Sequence, residues 1–222
     1  MSTQTPTAAK KKEPVHTTFQ PHMTDPSLCA VPRQVGEAFK YPASMTSRER
    51  LFIYASVFAK APQRALEIGV WKGHSSRIID AALQDLGDDR KLISIDPVPN
   101  LEFDWDETFQ GRAVFLEKGS PNALPEAMDI AGGPFEFVFL DACHWYDWVR
   151  NDLRGIVGVT EPGAMIILHD AYYEPLQRAV RDALTDEQLP FTDCGIVCTT
   201  NNSGTEDGEE VSYCGLHLLI RR

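Results

Sequence analysis

At 222 residues with 43% hydrophobic side chains, the chain is long enough for one domain with a substantial core and a short extension. A formal net charge of −11, from 21 basic against 32 acidic residues, argues against nucleic acid or an anionic membrane surface as the principal partner. No apolar run approaches the ~20 residues of a membrane span. No apolar signal core opens the sequence, and five cysteines set mostly in apolar runs predict reduced thiols in a cytoplasmic protein.

In chain order, residues 1–44 read as a proline-rich arm, partly disordered. Pro6, Pro14, Pro21, Pro26, Pro32 and Pro42 interrupt it, and no helical or alternating pattern survives between them. Lys10, Lys11 and Lys12 read as a solvated tail. Val31, Val35, Phe39 and Tyr41 leave 28–41 two readings, a lid over the active site or a segment packed on the core. Residues 45–222 read as the domain. Thr46-Ser47-Arg48-Glu49 is a capping box opening a helix that ends before Pro62. A buried strand follows at 65–69, broken at Gly69, and then a helix with Ile78, Ile79, Ala82, Leu83 and Leu86 at helical spacing.

Residues 92–96 form the second strand, ending in Asp96-Pro97, and 113–116 the third, followed by Gly119-Ser120 and a helix beginning at Pro121. The fourth strand, 135–141, ends in Asp141. After it come a helix over 145–159, a turn at Pro162-Gly163, a buried strand over 164–168 ending in His169-Asp170, and a helix over 175–184. Two last strands, 191–198 and 211–220, are joined by the acidic loop 201–210 as a long hairpin. Strands alternating with helices predict an α/β fold, a Rossmann-like, mostly parallel sheet with helices on both faces and an antiparallel edge. Cys194 and Cys198 share a strand face by spacing, but no C-x-x-C unit supports a structural zinc.

Strand, glycine turn and helix is how open α/β sheets hold a nucleotide at a strand's carboxyl end. A dinucleotide fingerprint requires G-x-G-x-x-G, and Trp71 and His74 stand where its second and third glycines would be, which argues against NAD and FAD. The pattern is instead Glu67-x-Gly69-x-x-x-Gly73, whose acid suits a cationic amine. Asp96 stands where a carboxylate accepts ribose hydroxyls. Asp141, His169 and Asp170 end neighbouring strands, which lie ~4.8 Å apart, so they form a candidate divalent-metal site. The other reading is that His169 pairs with Asp141 and no metal binds. His144, three residues beyond Asp141, is a candidate base. Cys143, without a basic helix start to activate it, reads as a packing residue.

The stretch 65–76 resembles the first motif of class I S-adenosylmethionine (SAM) methyltransferases, and the likeness extends over about 45–222. It implies a seven-stranded sheet of order 3-2-1-4-5-7-6. Glu67, Gly69 and Gly73 would then hold the methionine half, with Ser75 and Asp141 close by, Asp96 on the ribose, and Gly119 and Ser120 on the adenine edge. Leu140-Asp-x-x-His144-x-Tyr146-x-x-Val149-x-x-Asp152-Leu153 and Pro162-Gly163…Leu168-His169-Asp170 resemble a metal-dependent O-methyltransferase branch, that of the sugar and macrolide enzymes and the cephalosporin hydroxylase-like proteins. The resemblance implies methyl transfer from SAM to a hydroxyl of a sugar, polyketide or phenolic, with magnesium or manganese at Asp141, His169 and Asp170 and with His144 as base. Histidine at 169 shifts the donor set toward manganese, iron or zinc. A small-molecule hydroxyl acceptor is the expected partner, homodimerisation is left open, and Asp152 is expected to be remote from the reaction. The rival readings are a SAM- or partner-binding domain without catalysis and a metal-dependent hydroxylase.

Overall fold

The capping box forms as the sequence predicts: Thr46 N donates to Glu49 Oε2 at 2.8 Å, and Glu49 N donates back to Thr46 Oγ1 at 3.3 Å. It opens α1 (Ser47–Lys60), which closes at Ala61 in a left-handed conformation just before Pro62. This computed structural model describes residues 36, 39–41, 44–87, 89–206 and 208–222, all within one compact unit, Val31–Arg222. The other residues of the proposed arm lie outside the described residues.

The elements after α1 are β1 (Arg64–Ile68), α2 (His74–Leu86), β2 (Lys91–Ile95), α3 (Trp105–Phe109), β3 (Ala113–Leu116), α4 (Leu124–Ala131) and β4 (Phe135–Leu140). Then come α5 (Tyr146–Val159), β5 (Thr160–His169), α6 (Glu174–Thr185), β6 (Phe191–Cys198), β7 (Asn202–Glu206), β8 (Glu209–Tyr213) and β9 (Leu216–Arg221). Seven strands make one sheet in the order β3-β2-β1-β4-β5-β9-β6, parallel except for β9, which runs antiparallel to both neighbours. With β9 as the seventh strand, this is the expected topology.

Period-two alternation divides each apolar run between two cores. Leu66, Ile68, Ile93, Ile95, Val138, Leu140, Ile166 and Leu168 face α4, α5 and α6. Ala65, Leu92, Phe137, Phe139 and Ile167 face α1, α2 and the Trp105–Phe109 pair. Each large apolar side chain buried this way contributes about 1.5–3 kcal/mol. No helix among the described residues is long and apolar enough to cross a membrane.

Four local expectations are corrected. The helix expected from Pro121 starts at Leu124, because 121–123 form a turn closed by Leu124 N to Pro121 O at 3.1 Å, with Pro125 in the first helical turn instead. Pro162 and Gly163 do not separate α5 from a strand. They sit in an interruption inside β5, between the pairs Phe135↔Thr160 and Phe137↔Met165, where a residue without an N–H is tolerated. The segment 201–213 is not a plain connection: β7 and β8 form a separate two-stranded hairpin, and the last sheet strand begins only at Leu216. Cys194 and Cys198 do not share an environment, since two register shifts in β6 leave Cys194 exposed and Cys198 buried.

Candidate active site

The sheet order reverses between β1 and β4, and the crevice opens at the carboxyl ends of these strands. Gly69 makes it possible. Its φ is +90°, and an added Cβ would stand 2.1 Å from the Asp141 carbonyl oxygen, so β1 and β4 close up here only around a glycine. The turn is tied sideways to β2, because Val70 N and Trp71 N both donate to Asp96 Oδ2 at 2.8 Å. Asp96 Oδ1 accepts from Val98 N at 2.8 Å. The carboxylate expected on the ribose is therefore also the brace of the glycine turn; it lines the cleft with one acceptor site, on Oδ1, still open.

A cleft of about 390 Å³ runs along these strand ends, within the range of small-molecule sites. Of the expected cofactor residues it brings together Gly69, Asp96, Gly119, Ser120 and Asp141. Glu67, Gly73 and Ser75 do not line it. Glu67 lies fully buried beneath the turn, with Oε2 accepting from Ser76 Oγ at 2.5 Å and Ser94 Oγ at 2.6 Å. Desolvation pushes its pKa up to about 7 against the pull of the surrounding serines. Gly73 caps α2 at φ +77°, where a Cβ would strike the Phe103 ring, and Ser75 borders a small neighbouring recess.

The cleft is also lined by Trp71, for which the sequence left open a ligand contact or packing on the sheet edge, and by Trp145, Trp148 and Asp152, which were not expected to form it. Trp145 and Trp148 are 64% and 51% exposed. Asp152, expected to be remote, comes from α5 and is 2% exposed. Its position on a helix with a continuous apolar stripe hid it, because only tertiary packing turns that face of α5 toward Ser120.

A second cavity of about 400 Å³ adjoins the first and shares Trp71, Asp141 and Ala142 with it. It holds His144, His169, Asp170, Ser44, Tyr213 and Cys214. Ligand atoms of Asp141, His144, His169 and Asp170 all lie within 4.8 Å of one another. His144 Nε2 is 3.2 Å from Asp141 Oδ1 and 3.6 Å from Asp170 Oδ2. His169 Nδ1 is 3.1 Å from Asp141 Oδ1 and 3.5 Å from Asp170 Oδ1. Asp170 holds φ +55°, a strained conformation for a non-glycine residue, secured by Cys214 N donating to its Oδ1 at 2.7 Å.

These groups set one another's charge. Burial opposes ionisation of Asp141, but the two imidazoles hold its carboxyl well below the usual range. Burial would lower both histidines, yet the facing carboxylates raise His144 and raise His169 well above its ordinary value. The donor set, two carboxylates and two imidazoles converging from β4, α5's approach and β5, fits a divalent ion of mixed nitrogen and oxygen preference. The placement of His169 also fits. Its Nδ1 faces the carboxylates, while Nε2 lies on the other side of the ring, 3.6 Å from Glu49 Oε1 and with no hydrogen-bond partner.

Glu49 was legible in the sequence only as a capping residue. It is 0% exposed, and its Oε1 accepts from Thr200 Oγ1 at 2.7 Å and Gly215 N at 2.6 Å, tying α1 to both ends of the hairpin insertion. Burial would raise its pKa, but the His169 imidazole beside it and hydrogen bonds from Thr200 and Thr46 outweigh this and hold it at about 2. Nearer the N-terminus, Arg77 lies between the rings of Tyr41 and Phe103 at 3.8 and 3.9 Å, so the described end of the arm rests on α2.

Residues 66–171 match the family model described as a methyltransferase domain. No curated protein matches the sequence. Among solved structures, the cofactor-bound protein Rv0187 from MTB superposes with a TM-score of 0.60 at 18% identity, covering 89% of this chain and 90% of that one. The O-methyltransferase from Bacillus cereus in complex with SAH gives 0.61 at 16%, covering 90% and 93%. The O-methyltransferase TomG from Streptomyces achromogenes, involved in tomaymycin synthesis and solved with SAM, gives 0.54 at 18%, covering 86% and 87%. At these identities the likeness is one of fold.

Proposed function

With a methyltransferase domain over residues 66–171 set in the class I SAM-dependent fold, we propose that this enzyme transfers a methyl group from SAM to a hydroxyl of a small molecule, with a divalent metal assisting. The observation that carries the reading is the junction of two cavities at Trp71, Asp141 and Ala142, one suited to a nucleoside and one holding the Asp/His cluster. Bound in the first cavity, SAM supplies an activated methyl group on a sulfonium centre. An ion held by Asp141, His169 and Asp170 would orient hydroxyl oxygens and make them more acidic.

The chain's own residues do the rest. Gly69 lets β1 and β4 close up at the crevice, and Asp96 fixes the turn that forms the cleft's edge while offering its remaining acceptor site to a diol. Asp141 stands at the junction and holds His144 by its Nε2. Neutral His144 donates its Nε2–H to Asp141, which leaves Nδ1 as the nitrogen that accepts the acceptor's hydroxyl proton. Trp71, 51% exposed and strained at φ +45°, borders both cavities and excludes water from the passage. Alignment of two bound reactants in this manner supplies up to ~7–11 kcal/mol of barrier lowering. A sugar, polyketide or phenolic with adjacent oxygens suits the cluster, and the uncompensated acidic surface of the molecule disfavours strongly anionic acceptors.

Incubation with methyl-labelled SAM and a panel of diols and phenols tests the reading. Labelled ether product is expected, increasing when manganese or magnesium is supplied. Tight SAH binding with no transfer across the panel, and no metal uptake, would favour a binding module instead.

A further inference from the structure

Both carboxylate contacts to His144, from Asp141 Oδ1 at 3.2 Å and Asp170 Oδ2 at 3.6 Å, are made at Nε2. A ring tied at one nitrogen can still swing about it, and the swing carries Nδ1, the nitrogen that must meet the acceptor's hydroxyl. An aromatic contact limits that freedom. Tyr173 lies edge-on to the imidazole, with ring centroids 6.4 Å apart and planes at 76°, a favoured geometry for a pair of rings.

Tyr173 is itself placed from two sides. Its backbone caps α6, with N–H donating to the Asp170 carbonyl at 2.9 Å and its own carbonyl accepting from Gln177 N at 3.1 Å. Its ring is stacked on Tyr213, with centroids 5.7 Å apart and planes at 11°. Tyr213 is the last residue of β8, and the backbone just after it grips the same segment. Cys214 N donates to Asp170 Oδ1 at 2.7 Å, Tyr172 N donates to the Cys214 carbonyl at 3.2 Å, and Ala171 N donates to the Gly215 carbonyl at 3.2 Å. A Cβ at Gly215 would stand 2.8 Å from the Tyr172 ring at a φ of +79°, so only glycine lets the two segments close up. The hairpin is thereby locked against 170–173, and Tyr213, which lines the second cavity, packs on the ring that faces His144.

We propose that Tyr173 and Tyr213 are positioning residues for His144, with the β7–β8 hairpin acting through the two stacked rings to set the direction of Nδ1. This rests on the reading of His144 as the base. The contacts run from the wall of the second cavity to the nitrogen that takes the proton. An acceptor seated against Tyr213 therefore meets a base whose orientation depends on that same side chain. Neither tyrosine takes part in the chemistry. Their effect is on geometry, where a misplacement of about 1 Å costs up to ~100-fold in rate.

The test is the NMR signal of the His144 ring in the histidine-labelled full chain, with SAH and without added metal, identified by its absence in His144→Gln. Tyr213→Leu is the decisive variant, because Tyr213 acts on the imidazole through Tyr173. The signal is expected to move in Tyr213→Leu, in the direction seen in Tyr173→Leu, and to keep its wild-type position in Tyr213→Phe, which retains the stack. Turnover on the diol and phenol panel is read in parallel. Tyr173→Leu and Tyr213→Leu are expected to lose about 10- to 100-fold in kcat, with SAH affinity within about threefold of wild type, while Tyr213→Phe keeps most of its activity. In a His144→Gln background the same leucine substitutions change the residual turnover by less than about threefold, because the ring they position is gone. An unmoved His144 signal in folded Tyr213→Leu, or an equal loss of kcat with and without His144, overturns the proposal alone. Full turnover in His144→Gln overturns the base reading and the proposal together.

Discussion

Glu49 shows how much a single residue carries that its local context conceals. The sequence reveals it as the last residue of a capping box, at N3, a role worth about 1 kcal/mol. Its second oxygen, which holds Thr200 and Gly215 and lies beside His169, depends on partners 120 to 166 positions away. Glu49→Ala strands these donors in the interior and is expected to lower unfolding free energy by about 3–5 kcal/mol in urea titrations. An effect below about 1 kcal/mol would reduce it to a cap. Gly69→Ala forces a Cβ onto the Asp141 carbonyl at a φ of +90°. It should cost at least about 2 kcal/mol and weaken SAH binding, whereas a neutral outcome would mean that β1 and β4 part without consequence. Gly69, Asp96 and Asp141 were readable because strand ends in α/β sheets converge by construction. Asp152 and Trp148 were not, since a helix face is assigned to cleft or core only by what packs on it.

At the level of elements, the alternating runs 65–68, 92–95, 137–140 and 166–168 made the sheet legible, each strand feeding two cores. The hairpin β7–β8 was illegible, because Asn202–Glu206 and Glu209–Tyr213 are polar and pair only with each other. Polar strands lacking a buried face carry no periodic signal. The hairpin still builds the second cavity through Tyr213, which stacks on Tyr173 at 5.7 Å. Replacing residues 202–213 with a short glycine-containing turn should leave melting temperature and SAH affinity near wild type, since the main sheet gains no bonds from it. Methyl transfer to the acceptor should fall by at least about tenfold. Full transfer after this replacement would exclude the hairpin from acceptor binding.

Across the whole molecule, buried carboxyls pull stability in opposite directions with pH. Glu49, held at about 2, stabilises the fold above its unfolded value of 4.5 and loses that contribution as pH falls toward 2. Glu67 and Asp152, raised to about 7 and about 6, behave in reverse. The folded state keeps their protons after the unfolded chain has released them, so their contribution is complete below pH 3.8–4.5 and is lost as pH rises to 6–7. Glu67→Gln should therefore flatten the decline in unfolding free energy between pH 4.5 and 7 by roughly 2–4 kcal/mol. A slope identical to wild type would contradict the raised value.

The account turns on Asp141 and His144 acting at the junction of two cavities, and one comparison addresses that directly: labelled methyl transfer by wild type and His144→Gln, each with its SAH affinity measured in parallel. His144→Gln is expected to bind SAH within about threefold of wild type while its turnover falls by about 10²–10⁴. Undiminished turnover in that variant, or a loss that merely follows weaker SAH binding, would contradict the account.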